Sequence, residues 1–265
     1  MPFDIEDKET LEFEDIPETP IVYAKTASEE LGIELYYKDE TVLPSGTWKD
    51  REGFISAYRM YKNNIDNLFV FSSGNTGTSV ARSVSTFKKG KLHLVIPEAS
   101  KKRVATYKEF FQEDFVKLNF FDGSNDECID YAKSMANEKG FQVEGGFSNY
   151  ARREGLKLLA LEVIGLWDKK PDWYVQSIAG GIGIYSYFKA YRDLGKEDEC
   201  PRLLGVQAKV CSPMANAWKA DAATLENEHI PQEVTPSDYV RVLRTRKPTD
   251  SYPILKKIMD KVQGR

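Results

Sequence analysis

Apolar positions along the chain follow two rhythms. Short apolar runs at Leu68–Phe71, Leu92–Ile96, Phe115–Phe120, Trp173–Ile178 and Leu203–Gln207 have the length of buried strands. Between them, apolar residues recur at i, i+3, i+4 and i+7. Phe54, Ala57, Tyr58 and Tyr61 form one such stripe, Leu156, Leu159, Ala160 and Val163 a second, and Ile184, Tyr187, Phe188 and Tyr191 a third. That spacing predicts helices, the first beginning at about Gly53, with the stripes as core faces. Strand, turn and helix repeated in this way predict a parallel sheet covered by helices, an α/β fold. Residues 219–251 differ. They are charged and strand-poor, with Pro231, Pro236 and Pro248, and are expected to form loop and irregular surface.

Composition narrows the functional classes. The chain has 265 residues, 41% hydrophobic and 29% charged, which is enough for a sizeable core and one or two domains. Its formal net charge of −4 gives no nucleic-acid footprint. The short basic clusters at Lys88–Lys91 and Lys101–Arg103 read as solvated turns and helix starts. Cys128, Cys200 and Cys211 are far apart and lack CxxC spacing, so neither a zinc site nor a disulfide framework is expected. A reducing cytoplasm suits them. The acidic start, Met1 to Asp15, has no apolar core of a secretory signal, and no apolar run is long enough to span a bilayer. His93, within a strand, and His229, in a charged stretch, are the only histidines. They are expected to be half-buried and on the surface respectively, too few for a triad or a multi-histidine metal site.

Candidate chemistry lies in three turns. Ser72-Ser73-Gly74-Asn75-Thr76-Gly77-Thr78-Ser79 follows the first strand, and Ala179-Gly180-Gly181-Ile182-Gly183 follows Trp173–Ile178. Glycine lets backbone amides approach a ligand, and the N-terminus of the next helix favours an anion. At the carboxyl end of a parallel strand, such turns sit where ligands bind. Neither turn matches a nucleotide-binding loop convincingly. The third turn is Leu43-Pro44-Ser45-Gly46-Thr47-Trp48-Lys49-Asp50-Arg51, which taken alone would be an ordinary charged helix start.

Together these segments resemble the threonine synthase-like members of the fold type II pyridoxal-phosphate (PLP) enzymes, the tryptophan synthase beta superfamily. Residues 35–53 resemble the segment carrying that family's Schiff-base lysine, whose usual form ends Pro-Thr-Gly-Ser-Phe-Lys-Asp-Arg-Gly. Residues 72–79 are similar to its Ser-Ser-Gly-Asn-Thr-Gly-Ala-Ser loop, and Asn149–Gly155 to its Asn-Pro-Tyr-Arg-x-Glu-Gly segment. Residues 171–194 are similar to its phosphate-loop strand and helix, and the resemblance extends from about Thr19 to Met214, more weakly to Met259.

The resemblance implies a two-domain parallel or mixed-sheet α/β fold. Residues 1–53 and 146–265 would form a larger cofactor-binding domain, incomplete here, and residues 54–145 a smaller inserted domain with the Asn loop. It implies pyridoxal 5'-phosphate as cofactor, a small amino-acid substrate and a homodimer. Lys49 would bear the cofactor and act as base and acid, with Asn75 hydrogen-bonded to the ring hydroxyl. The turn from Ser73 through Gly74 and Asn75 to Thr76 would hold the substrate carboxylate. The amides of Ala179, Gly180, Gly181, Ile182 and Gly183 would hold the cofactor phosphate, and Arg152 a substrate phosphate. Nucleophilic Lys49 would need burial and nearby positive charge to lower its pKa, while Asp50 and Arg51 would form structural ion pairs.

Three departures stand out. Ala-Gly-Gly-Ile-Gly replaces the family's Gly-Asn-Gly/Ala-Gly-Asn loop, and Trp48 and Glu52 replace a Phe and a Gly. The family also continues beyond the region of Tyr252 to Arg265 with the Ser or Thr that contacts the pyridine nitrogen, so a fragment or a naturally short form is expected. The leading function is a PLP lyase of biosynthesis, a threonine synthase turning O-phosphohomoserine into threonine and phosphate. The alternatives are a serine/threonine dehydratase or β-replacement enzyme, and a non-catalytic binding module on the same fold.

Overall fold

The computed structural model describes residues 16–72, 74–102, 108–112, 114–123, 125–231, 243, 245, 246, 248 and 251–264. Two compact units divide the chain at Gly145/Gly146.

In the first unit, β1 (Ile21–Tyr23) and β2 (Tyr36–Lys38) form an antiparallel pair around α1 (Lys25–Leu31). Helix α2 (Lys49–Lys62) then leads into β3 (Asn67–Phe71), α3 (Asn75–Phe87), β4 (Lys91–Pro97), β5 (Val116–Phe121), α4 (Asn125–Lys139) and β6 (Gln142–Val143). The four strands β3 to β6 form one parallel sheet in the order β5-β4-β3-β6. Both faces are covered, as an all-parallel sheet requires. On one face Leu68, Val70, Leu92, Leu94 and Ile96 pack against Ala57 and Met60 of α2 and Val80, Ala81 and Val84 of α3. On the other, Phe69 and Val95 meet Cys128, Ala132 and Ala136 of α4.

Helix α2 begins at Lys49, five residues ahead of the apolar stripe. Asp50 and Glu52 in its first turn suit the positive end of the helix dipole, and Asp50 Oδ2 accepts the Ser45 N–H at 2.7 Å. Asp50 therefore fixes the turn before the helix, where an ion pair was expected. Arg51 does form one. Its Nε donates to Glu40 Oε2 at 2.6 Å and its Nη2 to Glu40 Oε1 at 3.0 Å and to Thr19 Oγ1 at 3.1 Å. The Arg51 side chain at the centre of this network is fully buried and ties Thr19 and Glu40 to α2. The described part of residues 1–53 lies in the first unit.

The second unit contains α5 (Tyr150–Leu166), β7 (Trp173–Ser177), α6 (Ile182–Asp193), β8 (Arg202–Val206), α7 (Pro213–Lys219) and α8 (Tyr252–Lys261). β7 and β8 pair in parallel. Tyr174 of β7 stacks on Tyr187 of α6 with ring centroids 3.7 Å apart. A largely buried ion cluster joins α5 to α6. Lys157 Nζ lies 2.5 Å from Glu154 Oε2 and 2.8 Å from Asp193 Oδ2, and Lys189 pairs with Glu154 Oε1 at 2.6 Å and with Asp193.

The histidines divide differently from expectation. His93 on β4 is buried, stacks on Phe69 and bonds Asn67 Oδ1 at 2.9 Å. Burial, followed by the charges of Lys117, Lys139 and Lys91, holds its pKa below the ordinary value. His229 is also buried, because its Nδ1 accepts the Glu226 N–H at 2.9 Å and closes a short helical turn. Among the described residues no helix is long and apolar enough to cross a membrane.

Two outcomes test this packing. A Cβ at Gly53 would lie 2.2 Å from Ser79 Oγ and 2.7 Å from the Ser79 carbonyl carbon. Overpacking of this kind costs about 1–3 kcal/mol, against about 1 kcal/mol gained in helix propensity, so Gly53→Ala is expected to lower the urea midpoint. An unchanged midpoint would show that the two helices separate freely. The second outcome concerns Asp193. Burial opposes its ionisation, but hydrogen bonds from Lys157 and Lys189 outweigh burial and leave its pKa below the ordinary value. A depressed carboxylate contributes stability that is complete above about pH 4 and is lost as pH falls through the folded value. Asp193→Asn is expected to lose about 1.5–3 kcal/mol at pH 7 and to show a shallower loss below pH 4 than wild type, by thermal unfolding across that window.

Candidate active site

Lys49 is the first residue of α2, with its side chain 19% exposed. Its Nζ lies 4.8 Å from the centre of the Trp48 ring and 3.3 Å from Glu52 Oε2. Glu52 is wholly buried, and its second oxygen, Oε1, accepts a 2.8 Å hydrogen bond from Thr76 Oγ1 on α3. Ser79 Oγ donates to the Lys49 carbonyl at 2.6 Å, so the lysine's backbone is also held to α3. One chain of polar contacts therefore runs from the amine through Glu52 to Thr76.

The charge beside Lys49 is the reverse of the expected one. A cation was expected, and a carboxylate is there. Helical phase gives the reason. Residues at i and i+3 share a face, whereas residue i+2 points away. Glu52 therefore meets Lys49, and Arg51 turns to Glu40 and Thr19.

The turn after β3 is held by Ser72, whose Oγ accepts from Gly74 N at 3.2 Å and Gly77 N at 2.9 Å. Ser73 lies outside the described residues. Asn75 and Thr76 open α3, whose N-terminus favours negative charge. At Gly77, in the first turn of α3, a Cβ would lie 2.7 Å from Leu94 Cδ1 on β4, so the start of the helix sits close against the sheet.

In the second unit, β7 leads into Ala179–Gly183. Ile178 N donates to Val206 O at 2.9 Å, which fixes where the turn starts. Gly181 caps α6 at φ +73°, and a Cβ there would meet Leu255 Cδ1 of α8 at 2.1 Å. The first hydrogen bond of α6 is Tyr185 N to Gly181 O at 3.2 Å. The N–H groups of Ile182 to Ile184 thus precede any acceptor within the helix, and its first turn carries no acidic residue. This is the local geometry of an anion site. Arg152 lies half-buried in the first turn of α5, whose N-cap Asn149 accepts from Ala151 N at 2.9 Å.

Lys49, Gly74, Asn75 and Thr76 thus fall in the first unit, and Arg152 and Ala179–Gly183 in the second. Sequence reasoning assigned no role to Ser72, Ser79 or the carboxylate of Glu52. Ser72 and Ser79 lie at the two ends of the loop that resembles the family's, and the i, i+3 spacing of Lys49 and Glu52 was the available signal. Each unit carries a donor of a kind pyridoxal phosphate uses, an amine suited to its aldehyde in the first and a helix N-terminus suited to its phosphate in the second. Among the described residues no group of three or more His, Cys, Asp or Glu is placed to hold a metal ion.

Comparison with known proteins bears on the chain as a whole. The cysteate synthase of Methanococcoides burtonii is 29% identical over 246 residues, which is 86% of this chain and 56% of that protein. The threonine synthase of Methanocaldococcus jannaschii is 28% identical over 211 residues, 77% of this chain and 51% of that protein. The chain spans about half the length of these curated relatives. In fold it is similar to maize serine racemase, with a TM-score of 0.74 at 20% identity over 94% of this chain and 73% of that one. Tomato (Solanum lycopersicum) threonine deaminase isoform 2 gives 0.71 at 15% identity over 92% and 63%. The family described as pyridoxal-phosphate dependent enzyme matches residues 13–262, and the chain belongs to that family.

Proposed function

We propose that this chain is a PLP-dependent carbon–oxygen lyase in which Lys49 bears the cofactor, and that it acts on O-phosphohomoserine to give threonine and phosphate. The observation that carries the reading is the link from Lys49 Nζ through Glu52 to Thr76, which sets the amine beside the turn that would receive the substrate. Relatives named threonine synthase and cysteate synthase support a reaction on a small amino acid.

When bound, the cofactor supplies an electron sink for charge developing at the substrate α-carbon. Every other part falls to the chain. The first-turn N–H groups of α6, with the Ala179–Gly183 backbone, would hold the cofactor phosphate. The turn from Ser73 to Thr76 would hold the substrate carboxylate, and Asn75 the cofactor's ring hydroxyl. Lys49 Nζ would take the substrate's α-proton and return protons at carbon. Trp48 beside the amine would keep water from it. Arg152 would pair with the substrate phosphate, which leaves the γ-carbon while water adds at the β-carbon. A homodimer in a reducing cytoplasm is the proposed setting.

One observation favours a second reading, elimination or replacement at the β-carbon of serine or threonine. Glu52 adds a buried negative charge 3.3 Å from Lys49 Nζ, which disfavours a doubly charged leaving group near the amine. A neutral substrate such as serine escapes that repulsion.

Two measurements decide. Added pyridoxal phosphate is expected to give wild type a visible absorption band that borohydride abolishes and that Lys49→Ala lacks. A band of equal strength in the variant would move the cofactor to another residue, and no band in either protein would leave the chain a binding module on this fold. In the loaded protein, O-phosphohomoserine is expected to release inorganic phosphate at least about 100-fold faster than in Lys49→Ala, in line with loss of a general base. Turnover of serine without phosphate release from O-phosphohomoserine would establish the second reading.

A further inference from the structure

The geometry points to Glu52 as a positioning residue for Lys49, a buried carboxylate that holds the amine in its charged form against the first turn of α3. The inference rests on the reading of Lys49 as the cofactor-bearing residue and deepens it. Glu52 has no solvent exposure, so water cannot stabilise its charge. Its two oxygens meet Lys49 Nζ at 3.3 Å and Thr76 Oγ1 at 2.8 Å. Leaving a buried carboxylate without its cation is strongly unfavourable, so the ionised forms of Glu52 and Lys49 stabilise each other.

The surrounding charges do not duplicate this role. On α2, Asp50 accepts from Ser45 N, and Arg51 is committed to Glu40 and Thr19. Further along α2, Arg59 and Lys62 lie in its last turn. The packed helix α3 carries one ionisable side chain, Arg82, six residues beyond Thr76. The turn 45–48 before Lys49 carries none. Among the described residues of α2, α3 and the turn before Lys49, Glu52 is the carboxylate seen at the Lys49 amine. In the usual motif of the resembled family this position is glycine.

An ammonium cannot attack an aldehyde until it loses a proton. Glu52 therefore raises the pH at which Lys49 becomes reactive and fixes where its amine sits when it does. The Thr76 hydroxyl completes the arrangement by anchoring the carboxylate to the helix that begins the substrate turn.

The test needs no cofactor. The full chain is methylated briefly with formaldehyde and cyanoborohydride across a pH series, and the fraction modified at Lys49 is read by peptide mass spectrometry. Lys25, whose side chain is 77% exposed, serves as the internal reference. In wild type, Lys49 is expected to reach half-labelling at or above the pH of Lys25. In Glu52→Gln its midpoint is expected to fall by at least about one pH unit, a tenfold gain in free amine at fixed pH, with Lys25 unmoved. Glu52→Gly, which restores the residue of the resembled family, is expected to give the same fall and serves if the glutamine variant does not fold. An unmoved Lys49 midpoint in either folded variant overturns the inference. So does a wild-type midpoint one unit or more below that of Lys25, which decides the matter even if neither variant folds. Failure of the cofactor reading shows separately, as an absorption band that does not depend on Lys49.

Discussion

Helices α2 and α3 approach to backbone contact because residue 53 has no side chain. Any Cβ there would enter the space of Ser79, atoms of the backbone included. This one contact governs much of the geometry of the first unit. It brings Ser79 Oγ to the Lys49 carbonyl, and it brings the face of α2 that carries Lys49 and Glu52 against the start of α3. Both helices then cover the same face of the parallel sheet through Ala57, Met60, Val80 and Val84. The amine is therefore positioned by the core itself, because α2 cannot rotate without opening a close-packed contact.

Three sets of charged groups are withdrawn from water, and each one joins separate segments. Arg51, Glu40 and Thr19 fasten the early chain to α2. Lys49, Glu52 and Thr76 fasten α2 to α3. Lys157, Lys189, Glu154 and Asp193 fasten α5 to α6, the helix entered from the glycine turn. Withdrawal of a charge from water costs about as much as the pairing returns, so such sets add little net stability. Their effect lies in what happens when one member is lost. The partner is left buried and charged, which makes each arrangement close to all-or-none.

Much of the sheet was legible in the apolar runs. Leu68–Phe71, Leu92–Ile96 and Leu203–Gln207 lie within a residue or two of β3, β4 and β8, because buried strands need continuous apolar side chains on both faces. Strands β1, β2 and β6 were not legible. They are two or three residues long and half-exposed or exposed, so any apolar run over them is too short to mark a buried strand. The start of α2 was missed for a related reason. Its first turn, Lys49 to Glu52, is charged, and the stripe that reveals the helix begins only at Phe54. His229 was placed on the surface by its charged neighbours, yet a local bond to Glu226 N draws its ring inward. Within the candidate site, the residue types of the three turns were readable, whereas the sign of the charge at the amine was not. That sign is set by helical phase, and the phase could be read only once the helix was known to begin at Lys49.

The same phase explains how four adjacent charged residues can serve three separate structures. Along Lys49-Asp50-Arg51-Glu52 each side chain is rotated about 100° from the last. Lys49 and Glu52 share the face toward α3, Arg51 faces Glu40 and Thr19, and Asp50 turns back to Ser45. In the resembled pattern Lys-Asp-Arg is followed directly by glycine, whereas here glutamate intervenes and glycine comes next, at Gly53. Gly53 is the residue that meets Ser79 at the close helix contact, so the packing of α2 on α3 does not require glycine at position 52 as well. A side chain at that position can then reach the amine without separating the helices, and in this chain it is a carboxylate. The local charge at the amine can therefore vary among proteins of this fold while the framework that positions the amine stays the same.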